Sequence, residues 1–218
     1  MALTPDIIEQ LARARADLRM GVPVVVTGDG AALILAAETL TPQRLADVLA
    51  LGGAPVLAIT ARRAETLKAR PYDGDLARLT LPVDASLSWV QAIADPADDL
   101  RSPMKGPLIS ARDGDALAHR AALALCKSAR LLPAAVVLPL EDAGTFAAQH
   151  ALTTLPLSRL ADHIGCRWRR PRLGACTSSA PKMAPRNIMP SKSAAPTAAS
   201  PCWHGCIRPV SPATFWDR

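Results

Sequence analysis

Residues 1–164 read as an α/β (α+β) domain, helices packed on a mixed sheet, and three observations predict it. Short apolar runs of strand length, such as PVLAIT at 55–60, alternate with stretches whose apolar residues recur at helical spacing. The same region is rich in Ala, Leu and Val and is long enough to bury one core. The third observation is a break near Ile164. Up to Gly165 the chain holds 16 Lys and Arg against 18 Asp and Glu, whereas residues 166–218 hold nine basic residues and one acid, Asp217. The net charge of +6 therefore comes from the tail, which also holds eight of 20 prolines, four of five cysteines and three of four tryptophans. No apolar period runs through it, so residues 165–218 are predicted to be a disordered tail.

Taken in order, Thr4-Pro5-Asp6 opens a helix with Ile7, Ile8, Leu11, Ala14 and Leu18 on one face, and Gly21 ends it. Residues 23–26 form a short β-run, Thr27-Gly28-Asp29-Gly30 has turn chemistry, and residues 33–36 return as a second run, which predicts a tight hairpin or adjacent strands. Thr41-Pro42 caps a helix through Leu51, stopped by Gly52-Gly53. Residues 55–60 are a buried strand, 61–69 a helix and 79–83 a β-run. Asp115 caps a helix carrying Leu117, Ala121, Ala124, Leu125 and Leu132 on one face. Residues 134–138 are the next buried strand, and 142–150 and 157–163 are closing helices. No internal repeat is visible.

Composition excludes several function classes. No 18-residue apolar span exists, residues 131–140 being interrupted by Pro133 and Pro139, and the N-terminus lacks a secretory pattern, so a cytoplasmic protein with no membrane partner is expected. Cys126 stands alone at an apolar helical position and reads as core packing. Thr27-Gly28-Asp29-Gly30 lacks the phosphate-loop pattern and leads into a β-run, so it is a turn. Asp98-Asp99 and Glu141-Asp142 are loop or cap pairs without an acid-base partner. In the tail, Cys202-Trp203-His204-Gly205-Cys206 has metal-capable residues. A tetrahedral zinc site would still need Cys166 or Cys176 brought in by a segment with no core. Arg167, Arg169, Arg170 and Arg172 around Trp168 give non-specific charge and no specific nucleic-acid partner.

The run RADLRMGVPVVVTGDGAALILAAETLT at 15–41 resembles the opening of 3,4-dihydroxy-2-butanone 4-phosphate synthase, and the order of features continues through PVLAITARRAETL, LTLPVDAS and LLPAAVVLPLEDAGTFAAQHALTTLPLSRLADHI. The resemblance covers most of residues 10–164 and implies that family's fold. The synthase removes formate from ribulose 5-phosphate with a divalent metal held by clustered carboxylates. Here the family's acidic loop is reduced to residues 27–32 with Asp29 alone. The family's T-T-G-I-S stretch is missing after Asp84-Ala85, which runs directly into Ser86-Leu87-Ser88. Its G-H-T-E-A motif corresponds to Leu117-Ala118-His119-Arg120-Ala121, with the histidine one place away, and its C-E-I glutamate falls on Pro139. His119 is accordingly expected at a solvated helix position. No catalytic, cofactor-binding or metal residue is assigned to this chain.

Phrases such as LARARADLRMGVPVVVTG, DPADDLRSPMKGPLIS and HRAALALCKSARLLPAAVVLPL resemble one degenerate form of that domain, the N-terminal domain of alphaproteobacterial GTP cyclohydrolase II. That resemblance implies a zinc-dependent catalytic domain after about residue 170. When the tail is read one nucleotide earlier, Met183-Ala184 requires Gly, Met189-Pro190 Ala, Phe215-Trp216 Leu and Trp216-Asp217 Gly. With ordinary codon choices residues 205–218 become L-H-S-A-C-F-T-G-D-V-L-G-S, similar to the zinc-binding start of that catalytic domain. The tail is therefore expected to be a frameshifted reading entered near residues 164–167. In the intact family, zinc on three cysteine thiolates activates water to open the guanine ring of GTP, releasing formate and pyrophosphate in riboflavin biosynthesis. The expectation for this chain is a truncated, inactive form without zinc or GTP. Two alternatives stay open: a residual magnesium-dependent synthase, and a dimerisation or regulatory module, because the related synthases are homodimers.

Overall fold

The computed structural model describes residues 4–163, and the predicted tail lies outside them. Helix α1 (Ile7–Arg19) starts in a capping box: Ile7 N donates to Asp6 Oδ1 at 2.7 Å and Asp6 N to Glu9 Oε2 at 2.9 Å, which satisfies donors that a helix start leaves free. Ile7, Leu11, Ala14 and Leu18 are buried, but Ile8 is 63% exposed and leaves the predicted face. Strands β1 (Val24–Thr27) and β2 (Ala32–Ala36) form the expected hairpin, with Val25 opposite Leu33. Thr41 caps α2 (Pro42–Ala50) by accepting from Arg44 N.

Beyond β3 (Val56–Thr60), helix α3 (Ala61–Thr66) is shorter than predicted because Leu67 closes it and Lys68 turns to φ 57. Strand β4 (Leu76–Thr80) lies three residues upstream of the predicted run. Leu76, Ala77 and Leu79 are fully buried against β3, whereas Val83, following Pro82, is 97% exposed. Helix α4 (Leu87–Ala94), capped by Ser86, is an element the sequence reading missed, and a 3-10 turn (Pro96–Asp99) follows it. Helix α5 (Leu117–Ser128) has Ala116 at its N-cap position and therefore no side-chain cap. Asp115 accepts only from Leu117 N, at 3.2 Å, and Leu132 falls beyond the helix end. Strand β5 (Ala134–Pro139) and α6 (Ala143–Gln149, capped by Asp142) match expectation. A short β6 (Thr153–Pro156) was not foreseen, and α7 (Leu157–His163) closes the described region.

The six strands run in the order β4-β3-β5-β2-β1-β6. All neighbours are antiparallel except β1 and β6, so the sheet is mixed, as predicted. Side-chain alternation divides the core between its faces. Val24, Val26, Ile34, Ala135, Val137 and Leu155 meet α1, α5 and α7. Val25, Leu33, Leu35, Leu57, Val136 and Leu138 meet α2, α3, α4 and α6 on the other face.

Candidate functional site

The positions that the sequence comparison singled out converge. Ala32, leaving the β1–β2 turn, pairs with Pro139 at the end of β5, and Leu140 N donates to Ala31 O at 3.0 Å. A Cβ built on Gly30 would sit 3.9 Å from the Cβ of Ala118, in the first turn of α5, and one on Gly28 would sit 3.8 Å from the Cβ of Leu157, at the start of α7. The hairpin turn, the start of α5 and the end of β5 thus form one corner. Its side chains are a hydrogen, a methyl and a pyrrolidine ring where a divalent cation needs oxygen or imidazole donors. These residues do not fit a metal ion. Asp29, the one acid of the turn, points to solvent.

Beside this corner runs a polar seam, buried at Arg78 and open to solvent at Asp75. Arg78, on β4 and 4% exposed, donates to Asp73 at 2.7 and 3.1 Å and to Asp113 O at 2.7 Å. Arg120 forms a forked pair with Asp75, Nε and Nη2 both approaching to 2.8 Å, and its guanidinium holds the Asp75 carboxyl below its ordinary range. Where the family places a glutamate, this chain therefore carries a cation already committed to a structural pair.

His119 is not solvated, contrary to expectation. It is 7% exposed, and neither ring nitrogen has a hydrogen-bond partner among the described residues. Like Ala118, also 7% exposed, it lies on the buried side of α5, within reach of the Arg78 charge. Burial first, and then the Arg78 charge, push its pKa down to about 4. A base so weak is poorly matched to proton transfer near neutrality.

The other singled-out residues are structural. Cys126 is fully buried, its Sγ 3.8 Å from Ala134 O, and burial drives its thiol up to about 12. Asp142 caps α6. Asp99 does have partners: Arg63 grips it with two nitrogens and Lys105 Nζ with a third, which together hold its carboxyl well below the usual range. Sequence reasoning missed Arg63, whose partner Asp99 is 36 residues away, and also Arg78 and Lys105, whose carboxylates Asp73 and Asp99 lie five and six residues away across irregular segments with no helical or strand spacing to pair them. A cation inside an otherwise apolar strand, as in LARLT, was the available signal for Arg78. Cys166, Cys176, Cys202, His204, Cys206 and the arginines near Trp168 lie outside the described residues. An apolar groove of about 620 Å³, lined by Leu33, Leu35, Val48, Leu51 and Phe146, lies on the sheet face opposite Ala118. Among the described residues no helix is long and apolar enough to cross a membrane, and no group of three or more His, Cys, Asp or Glu could hold a metal ion.

No family model matches the chain. It is 34% identical over 158 residues to GTP cyclohydrolase-2 of Azospirillum brasilense, covering 69% of this chain and 41% of that protein, so the chain spans about two fifths of this curated relative. In three dimensions it is similar to the 3,4-dihydroxy-2-butanone 4-phosphate synthase of Candida albicans, with TM-score 0.53 and 18% identity over 71% of this chain and 96% of that one. A cation-free crystal structure of the same kind of synthase gives TM-score 0.54 and 17% identity over 74% and 98% of the two chains. A two-domain synthase from A. baumannii gives 0.51 and 18%, over 69% and 56%. The fold is that of the synthase.

Proposed function

We propose that the described domain is a non-catalytic, synthase-like N-terminal domain of a GTP cyclohydrolase II of riboflavin biosynthesis. Residues 165–218 are, on this reading, an out-of-frame translation of the start of its zinc-dependent catalytic domain. The observation that carries the catalytic half of the proposal is the corner where Gly30, Ala118 and Pro139 meet. Four separate departures from the synthase motifs could have been scattered substitutions. Three of them instead fall within one site, where Gly30, Ala118 and Pro139 offer neither a cation ligand nor a proton-transfer group and Asp29 is the one acid of the turn. His119, neutral and enclosed, does not replace what is lost.

The similarity to a GTP cyclohydrolase more than twice the length of the matched region supports the pathway assignment. The forced Gly, Ala, Leu and Gly codons of the tail support the frame assignment. The purified chain is expected to release no formate from GTP with zinc, nor to make a butanone phosphate from ribulose 5-phosphate with magnesium. Turnover in either assay overturns the catalytic half. The coding DNA tests the other half: an open frame one nucleotide away, continuing into a C-D-C pair, is expected, and a frame broken by stops refutes it.

A further inference from the structure

We infer that residues 83–109 form a docking face for the catalytic half of an intact GTP cyclohydrolase II; this rests on the proposed function above. Between Thr80 and Leu117 the only regular structure is α4 and one 3-10 turn, yet the segment is pinned at several points. Arg63 donates to Ile93 O at 2.7 Å, to Ala92 O and Asp95 O at 3.1 Å, and to both Asp99 oxygens. Lys105, 8% exposed, adds bonds to Asp99 and Ala92 O, while Trp89 Nε1 donates to Lys105 O at 3.3 Å. Thr80 N reaches Ile109 O at 2.9 Å.

The segment is pinned at these points and leaves several of its apolar side chains in solvent. Val83 is 97% exposed, Leu100 95%, Met104 93% and Ile109 67%. Ile109 lines a cavity of about 460 Å³ and Met104 one of about 540 Å³, the two sharing Gly106, while Val83 and Leu100 are chain neighbours of residues that line them. Long irregular segments inside compact domains are usually functional, and apolar side chains grouped around concave surface mark interaction sites.

The size of the relative and the proposed function point to the occupant. The match covers 41% of the cyclohydrolase, so most of that protein remains to be placed. DPADDLRSPMKGPLIS, which contains Asp99, Leu100, Met104 and Lys105, is one of the stretches resembling the domain found joined to a catalytic half. Helix α7, the last described element, packs on β6, at the sheet edge opposite β4. Five strand spacings are about 24 Å, which about eight extended residues can cross.

The test is amide hydrogen exchange on two proteins: this chain, and the full-length product of the same gene with its frame restored by one nucleotide. Residues 83–109 are expected to exchange at least about tenfold more slowly in the restored protein, and Leu100→Asp with Met104→Asp to abolish that protection. Ile8→Asp, on the exposed side of α1, leaves it intact. Equal exchange in a restored, folded protein overturns the docking face while leaving the frame reading standing; a gene with no restorable frame removes both. Self-association of this chain that disappears in the double aspartate variant assigns the face to a second copy and also overturns the inference.

Discussion

Arg63 holds Asp99 through two nitrogens at 2.6 and 2.7 Å, and the same guanidinium caps three backbone carbonyls at the end of α4. One side chain thereby ties α3 to α4 and to the turn that follows. Its environment is poor in water, the Arg63 side chain being 10% exposed. Arg63→Met keeps the stem and removes every donor, leaving those carbonyls and Lys105 to compensate. A loss of about 2–4 kcal/mol is expected, measurable as a lower urea midpoint. An unchanged midpoint would show that water replaces the guanidinium without cost.

His119 makes stability depend on pH. An unfolded histidine takes up its proton near 6.5, whereas His119 in the folded chain resists protonation down to about 4. Between those values the unfolded state binds more protons, so stability is full above about pH 6.5 and falls as pH drops toward 4. The loss approaches about 3 kcal/mol by the acid end of the window. Carboxylates deepen it: Asp75 and Asp99 have lowered pKa values, so their contribution is present above the ordinary carboxylate pKa and is lost on further acidification. His119→Leu should flatten the slope between pH 6.5 and 4 in chemical denaturation series. A histidine resonance for this position titrating near 6.5 in the native protein contradicts the assignment.

Two glycines separate backbone strain from steric overlap. Gly21 has φ 75, and a Cβ there would lie 2.4 Å from Thr39 O; Gly74 has φ 83 and nothing within 4 Å. Gly74→Ala should cost only the left-handed conformation, about 1 kcal/mol. Gly21→Ala must also displace backbone, so its cost should exceed that by at least about 1–2 kcal/mol. Thermal melts of the two variants in parallel decide it; equal shifts would mean that the α1–β1 junction yields freely.

Cys126 should be chemically silent in the native chain. A fully buried thiol pushed up to about 12 carries almost no thiolate at neutral pH. Alkylation followed by peptide mass mapping should leave Cys126 unmodified until denaturant is added. Labelling at native rates similar to a free thiol would place it in an opening segment.

The hairpin, α1, α2, β3, β5 and α6 were legible because each carries its own punctuation: Asp6 with Glu9, Thr41-Pro42, Gly52-Gly53, Asp142. Helix α4 was legible too, with Leu87, Val90, Ile93 and Ala94 at helical spacing behind Ser86, and was overlooked. Strand β6 was not: four residues with Leu155 alone fully inside exist as a strand only because β1 offers a free edge. The displaced β4 shows the same dependence, since LARLT and LTLPV are similar runs that only pairing with β3 distinguishes. Motif comparison located the corner at Gly30, Ala118 and Pro139, but linear reading put His119 in water because exposure of one helical position depends on what stands opposite it. Here that is Arg78, 41 residues earlier in the chain.

The parallel pairing of β1 with β6 sets an order of events during synthesis. Val24 is made early and must wait for Thr153 before its outer edge is covered, so an apolar strand near the start of the chain stays open until almost the whole domain has left the ribosome. By Pro156 all six strands found among the described residues have been made. A shift of reading frame near residues 164–167 would thus leave the sequence of every one of them intact.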